Sequence, residues 1–106
     1  MKWHFVFVGD MMHIREFQEM MNRLYFQKDY ERGVKGNYDW LVEEVQELGE
    51  AMEGTDREAI EKEFADVIAW LSSLANVIGI DLEKVALEKY PDKCPRCFKS
   101  PCQCPS

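Results

Sequence analysis

Two sets of residues in this 106-residue chain are of types that carry chemistry, namely acids in the middle and cysteines near the end. The segment "WLVEEVQELGEAMEG" contains five glutamates, and "EFAD" follows it with two more acids. Carboxylate oxygens bind hard cations such as Mg²⁺ and can accept protons from water. A glutamate-rich helix is, however, more often a solvated surface. The helices that would position the acids therefore decide whether they form a site.

The first half of the chain is predicted to form two helices separated by a glycine-containing break. Asp10 is the expected N-cap of a helix through "MMHIREFQEMMNRLYFQKDYER". Residues 33–37 contain two glycines and should interrupt it. A second helix is expected to begin near Tyr38 or Asp39 and to end at Gly54.

Two further helices are predicted after a short turn. Thr55 and Glu58 have the spacing of a capping box, which predicts a third helix from about Asp56 to Ile78. The short turn forces the second and third helices to be antiparallel. A fourth helix, "DLEKVALEKY", should start after Asp81 and stop before Pro91. The predicted fold is therefore all-α, an antiparallel helical bundle with a short Cys-rich C-terminal tail.

The acids of the second helix divide into two faces when each residue is rotated by about 100°. Glu44 and Glu47 border the apolar stripe, whereas Glu43, Glu50 and Glu53 lie on the far side. The stripe that should pack in the core consists of four residues: Leu41, Val45, Leu48 and Met52. Only Glu44 and Glu47 are thus expected to face the neighbouring helix.

Glu63 and Asp66 have the same rotational offsets from the apolar stripe of the third helix. That stripe consists of Ile60, Phe64, Val67, Leu71, Leu74 and Ile78. In an antiparallel hairpin, Glu47 lies level with Glu63, and Glu44 lies level with Asp66. Four carboxylates on one side would repel one another unless a cation lay between them. The oxygen-only donor set, without a Glu-x-x-His pair, favours Mg²⁺ first and Mn²⁺ second.

These acids carry a resemblance to a known family. "EEVQE" (43–47) and "EFAD" (63–66) resemble the E-E-x-x-E and E-x-x-D motifs of the MazG-type all-α nucleoside triphosphate pyrophosphohydrolases. "GIDLEKVALEKY" is similar to a run that follows in the family, and the resemblance covers about Met11 to Tyr90. It implies hydrolysis of a nucleoside triphosphate to a monophosphate and pyrophosphate, by homodimers or homotetramers.

The same resemblance implies roles for individual residues. Lys89 matches a phosphate-contacting lysine of the family, while Lys93 stands roughly where the family has an asparagine. Glu43 would assist the reaction. Four acids would be catalytic and hold Mg²⁺: Glu44, Glu47, Glu63 and Asp66. Among the aromatic residues that could stack on the base (Tyr30, Trp40, Trp70 and Tyr90), rotation places Trp70 on the flank of the acids.

The domain organisation expected from these patterns is an N-terminal arm at 1–10, a MazG-like domain at 11–90 and a Cys-rich tail at 91–106. His4 and His13 are expected to be surface or packing residues. The first helix should contribute a core stripe of methionine and aromatic or aliphatic residues, formed by Met12, Phe17, Met20, Met21, Leu24 and Tyr25.

The tail "KCPRCFKSPCQCP" contains all four cysteines of the chain, Cys94, Cys97, Cys102 and Cys104. A C-x-x-C pair followed by C-x-C can bind Zn²⁺ through four thiolates. The same thiols could instead form disulfides on oxidation or remain unreactive. In the first two cases the tail would have a structural role.

The net charge of −7 and the pI of about 4.8 argue against binding to a nucleic-acid polymer, including by a zinc finger. No apolar run approaches the roughly 18 residues of a membrane span, and the first residues do not resemble a secretory signal, so the cytoplasm is expected. The alternative function is a non-catalytic helical interaction module with an acidic partner surface and a zinc-clipped tail.

Overall fold

The computed structural model describes residues 12–105, and over that range the chain contains three helices and no strand. Helix α1 spans Ile14–Ala51, α2 spans Arg57–Ile78 and α3 spans Leu82–Lys89. The predicted all-α class is confirmed. The predicted N-terminal arm and its proposed cap Asp10 lie outside the described residues.

Helix α1 is interrupted at Gly33, which has φ 80° and ψ 177°. This left-handed φ suits glycine because no Cβ is present to clash. The Asn37 side chain donates to the carbonyls of Asp29 and Gly33, both at 2.7 Å. The predicted break is therefore confirmed, but it is narrower than expected. Because Asn37 bonds to carbonyls at the interruption, the helix resumes directly after Gly33 and not at Tyr38 or Asp39.

The helix ends are set by local hydrogen bonds. Helix α1 begins after His13, whose N–H donates to the Glu16 carboxylate at 2.7 Å. The predicted Thr55 capping box is wrong, because Asp56 caps α2 by accepting from the Ala59 N–H at 3.2 Å. A carboxylate one residue closer to the helix is the better acceptor for the free N–H groups of the first turn.

The predicted end of α2 and start of α3 are confirmed, whereas the predicted end of the preceding helix is not. Gly79, at φ 83°, closes α2, and Asp81 caps α3 by accepting from the Lys84 N–H at 3.2 Å. Helix α1 ends at Ala51, so Gly54 lies in the turn and does not cap the helix as predicted.

A polar junction holds the start of α1 against the end of α2 and the start of α3. The Gln18 side chain is buried, donates to Asn76 at 3.0 Å and to the Ile80 carbonyl at 2.7 Å, and accepts from the Leu82 N–H at 2.9 Å. On the surface beside it, Arg15 pairs with Asp81 at 3.0 Å. These contacts fix α1 and α2 as an antiparallel pair.

The interior of the helix pair is small and polar. In the described range the buried apolar residues are Met21 and Ala75, and the other buried residues are polar: Gln18, Asp29, Asn37, Glu44, Ser72 and Ser73. Buried polar residues of this kind usually need hydrogen-bond partners or a ligand. The face of α2 that packs on α1 is thus the one bearing the acids and serines.

The predicted packing of the two apolar stripes against each other is wrong for much of their length. Five of the stripe residues are 41–56% exposed: Val45, Met52, Phe64, Leu71 and Ile78. In α1, Met21 is buried and Phe17 and Met20 are partly buried, but Leu24 and Tyr25 are exposed, as is Met12 before the helix begins. The other five residues of the two stripes are partly buried, so about half of each apolar stripe remains exposed, while most of the buried residues are polar.

Among the described residues, each helix taken singly is too short or too polar to cross a membrane. Taken together, α2 and α3 have the length and apolar composition of a membrane span, but the two helices are bent by 99° relative to each other.

Candidate functional site

Three carboxylates from the two long helices converge at one place. One carboxylate oxygen from each of Glu44, Glu63 and Asp66 lies within 4.8 Å of the others. Glu63 and Asp66 are three residues apart on α2 and so occupy one face, and Glu44 approaches from the antiparallel α1. The structure therefore brings together three of the four acids that were predicted to bind metal.

The fourth acid, Glu47, lies one turn beyond Glu44 and outside this group. It is partly buried, and that burial raises its pKa, as do the nearby charges of Glu63 and Glu43. Glu43 is exposed on the flank, as its rotation in the helix predicts. The charge of Glu47 thus interacts with the cluster, although its oxygens are not among the three carboxylate oxygens that lie close together.

Glu44 is the most perturbed acid of the cluster. Burial, together with the charges of Glu47, Asp66 and Glu63, raises its pKa to about 7. Only 9% of the residue is exposed, so water cannot screen these charges effectively. A carboxylate held in this way is stabilised in its ionised form by a cation.

Two oxygens of the cluster are buried without a hydrogen-bond partner among the described residues, Oε1 of Glu44 and Oε1 of Glu63. Leaving a buried acceptor unsatisfied costs about 1–3 kcal/mol, and more if it is charged. The other atoms of the cluster that could bind a metal ion are also carboxylate oxygens, the ligands that Mg²⁺ and Mn²⁺ prefer. The residues present therefore fit a hard divalent cation.

A cavity of about 320 Å³ adjoins the acids on the Asp66 side. Trp70 lines it, and its ring stacks on Trp40 with centroids 5.4 Å apart and planes 11° apart. The Arg32 guanidinium lies 4.9 Å from the Trp70 ring centroid. Trp70 is thus located where the sequence analysis expected it, beside the acids.

The cavity is also lined by charged residues to which the sequence analysis gave no role: Lys28, Asp29 and Arg32. Asp29 is 2% exposed and accepts from Arg32 at 2.8 Å through Oδ1, while its Oδ2 is buried without a partner in the described chain. The one sequence signal was the i, i+3 spacing of Asp29 and Arg32, which is common on surface helices. The structure adds a buried acid and two cations to the site.

Lys89 and Lys93 lie elsewhere in the chain. Both line a cavity beside the tail, where Lys93 Nζ lies 5.9 Å from the Phe98 ring centroid. The cavity next to Asp66 is lined by Lys28 and Arg32 and by neither of these lysines. Within one chain the predicted phosphate contacts are therefore not assembled with the acids.

The four cysteines form a second cluster. Their Sγ atoms all lie within 4.8 Å of one another, and the four thiols are free. Backbone N–H groups from the surrounding loop lower the pKa of Cys94 to about 6 and lower that of Cys97. Contacts with the other thiols raise the pKa of Cys104 to about 12. The tail is therefore folded so that its four thiols lie close together.

The helix pair presents three converging acids next to an aromatic cavity. Residues 32–98, more than half of the chain, match the MazG nucleotide pyrophosphohydrolase domain. The chain belongs to the MazG family, whose members act on nucleoside triphosphates and usually use divalent metals. No curated protein matches the chain. The matched segment begins inside α1 and extends into the Cys-rich tail.

Proposed function

We propose that this protein is a Mg²⁺-dependent nucleotide pyrophosphohydrolase that cleaves a nucleoside triphosphate to a nucleoside monophosphate and pyrophosphate. The observation that carries the proposal is the pair of unsatisfied buried oxygens on Glu44 and Glu63, next to Asp66, in a chain of the MazG family. The sequence also lacks the GxxxxGK[ST] loop with which many γ-phosphate hydrolases hold their substrate.

Glu44, Glu63 and Asp66 would hold the metal ion, with Glu47 as a fourth ligand from the next turn of α1. Mn²⁺ has the same ligand preferences and is expected to substitute. The chemistry that a bound ion supplies is neutralisation of charge on the phosphate oxygens and a lower pKa for an attacking water.

The remaining residues of the site orient the nucleotide and move a proton. Glu43, exposed on the flank, would take the proton of the attacking water on its carboxylate. Trp70 stacks on Trp40 and has the Arg32 guanidinium over its ring, so a base can stack on Trp70 only when the Arg32 side chain moves aside. Lys28 and Arg32 line the same cavity and can bind phosphate oxygens, which gives them the part that Lys89 and Lys93 were expected to have.

A substrate panel tests this assignment and identifies the base. Common and damaged nucleoside triphosphates are assayed for released pyrophosphate, with the wild type and with Trp70→Leu. Loss of a stacking contact worth about 1 kcal/mol should raise KM roughly fivefold for the preferred substrate, with a smaller change in kcat. Pyrophosphate release from none of the nucleotides in Mg²⁺ or Mn²⁺ would contradict the proposed function.

The raised pKa of Glu44 predicts a pH-dependent response to metal. Because the folded chain holds this proton more tightly than the unfolded chain, the stabilisation is complete below the ordinary pKa of 4.5 and is lost as the pH rises towards about 7. Mg²⁺ must displace the proton, so its stabilising effect should grow over the same window.

Thermal unfolding measured at about pH 5 and about pH 8, with EDTA or with Mg²⁺, tests this expectation. The Tm increase caused by Mg²⁺ should be much larger at the higher pH, and Glu44→Gln should remove most of that difference. An equal Mg²⁺ effect at both pH values, in the wild type, would show that Glu44 does not bind the ion.

We also propose that the protein acts as a homo-oligomer, either a homodimer or a homotetramer. The apolar residues of α1 and α2 that remain 41–56% exposed include Phe64, Leu71 and Ile78. Exposed apolar side chains along one helix face are typical of a protein–protein contact, and a second copy of the same helix pair would cover them.

A further inference from the structure

We propose that Cys94, Cys97, Cys102 and Cys104 bind one structural Zn²⁺ and that this ion holds the C-terminal tail in its folded shape. The four Sγ atoms all lie within 4.8 Å of one another, although the cysteines are spread over eleven residues. This inference rests on the tail alone and does not depend on the proposed hydrolase activity.

The spacing of the sulfur atoms matches a tetrahedral zinc site. With Zn–S bonds of about 2.3 Å, neighbouring sulfurs in a regular tetrahedron are about 3.8 Å apart. The distance between the Sγ atoms of Cys94 and Cys104 is 3.8 Å, and that between Cys97 and Cys102 is 4.0 Å. A disulfide would place two sulfurs at about 2.05 Å. The thiols are therefore grouped as four ligands and not as two bonded pairs.

The backbone around the cysteines is folded in the way a thiolate site requires. The Cys94 N–H donates to the Lys99 carbonyl at 3.0 Å, and the Phe98 N–H donates to the Cys94 carbonyl at 2.8 Å, which closes a loop around Cys97. Phe98 has φ 62°, which allows the chain to reverse there. The loop thereby brings the first cysteine pair towards the second.

Backbone N–H groups also point at the sulfurs. Arg96 donates to Cys94 at 3.4 Å, Gln103 donates to Cys97 at 3.4 Å, and Cys104 donates to Cys102 at 3.3 Å. Such outer hydrogen bonds orient metal ligands and offset the negative charge of thiolates. Three of the four sulfurs are thus already supported by donors from the loop.

The tail has little else to hold it in place. Its one large apolar side chain, Phe98, is 68% exposed, so burial contributes little to its stability. Zn²⁺ with four thiolates carries a charge of about −2, and Lys93, Arg96 and Lys99 lie within the same segment to offset it. Metal binding is a sufficient source of folding free energy for a segment of this size.

Metal analysis of the full-length chain, purified without chelator under reducing conditions, tests the site. The expected result is one zinc per chain in the wild type and a loss of at least half of it in Cys97→Ser and in Cys102→Ser. Ser100→Ala, within the same loop, is the matched control and should keep its zinc. A wild type with no zinc that also fails to take up added Zn²⁺ would overturn the proposal.

Cobalt substitution separates this site from the acidic one. Co²⁺ added to the reduced, zinc-free chain should give the visible bands of a tetrahedral thiolate complex, saturating at one equivalent and displaced by Zn²⁺. Glu63→Gln should leave these bands unchanged, and Cys97→Ser should abolish them. Bands that persist in Cys97→Ser, or a wild-type protein that stays lighter by two hydrogen atoms for each disulfide after treatment with reductant, would show that the thiols do not bind the metal as proposed.

Discussion

Glu63→Gln and Asp66→Asn are each expected to lower kcat/KM for nucleoside triphosphate hydrolysis by about 10³-fold or more. Both residues belong to the group whose oxygens lie within 4.8 Å of one another, so either change removes a charge from the proposed metal site. The loss should not be rescued by saturating nucleotide, because the residues act on the ion and the transition state.

The same variants should remain folded. Removing one charge from a repulsive cluster relieves the cost of bringing the acids together, so the metal-free variants should unfold at or above the wild-type temperature. Initial rates and circular dichroism measure the two effects. Glu53→Gln, which changes an exposed glutamate on the far face of α1, is the matched control and should keep wild-type activity. Activity within a fewfold of wild type in Asp66→Asn would reject the site.

Phe64→Glu is expected to dissociate the protein into monomers. Phe64 is 56% exposed on the apolar face of α2, where a second copy would cover it. Truncation of a central interface residue costs about 2 kcal/mol or more, and a buried charge adds to this. In a symmetric dimer the loss occurs twice, so the dissociation constant should rise by about 10³-fold.

Sedimentation velocity over a range of concentrations measures this change. Lys62→Gln is the matched control, because it alters the net charge by the same amount at an exposed position two residues away on α2. It should sediment as the wild type does. A wild type that is monomeric at high micromolar concentration, or a Phe64→Glu variant with unchanged mass, would contradict the proposed assembly.

The helices and the acidic cluster were largely predictable because both follow from local rules. Gly33 and Gly79 mark the interruption of α1 and the end of α2, and Asp81 caps α3 as expected. Within one rigid helix the 3.6-residue period fixes which side chains share a face, and a short turn fixes the pairing of two helices. The convergence of Glu44, Glu63 and Asp66 follows from these two facts.

The packing of the helix pair was not predictable in the same way. The sequence shows which face of each helix is apolar, but it does not show whether that face meets the same chain or another surface. The apolar faces were expected to form the core, whereas Phe64 and Leu71 are exposed and Ser73 and Glu44 are buried. The spacing of apolar residues identifies the apolar face of a helix, but it does not identify the surface that this face contacts.

The residues around the aromatic cavity were missed for a related reason. Asp29 and Arg32 precede Gly33, where the backbone leaves the helical region with φ 80°. The rotation of about 100° per residue holds only within a continuous helix. Because the torsion angles of Gly33 are not helical, the faces before and after it cannot be related by counting residues. Their position next to Asp66 and Trp70 is seen only in the folded chain.

The measurement that tests the central claim most directly is product analysis of a single turnover in ¹⁸O-labelled water, read by mass spectrometry. The expected products are nucleoside monophosphate and pyrophosphate, with label in one of the two, and no orthophosphate unless a pyrophosphatase is added. Direct formation of nucleoside diphosphate and orthophosphate would contradict it, even if Glu44, Glu63 and Asp66 bind the metal ion.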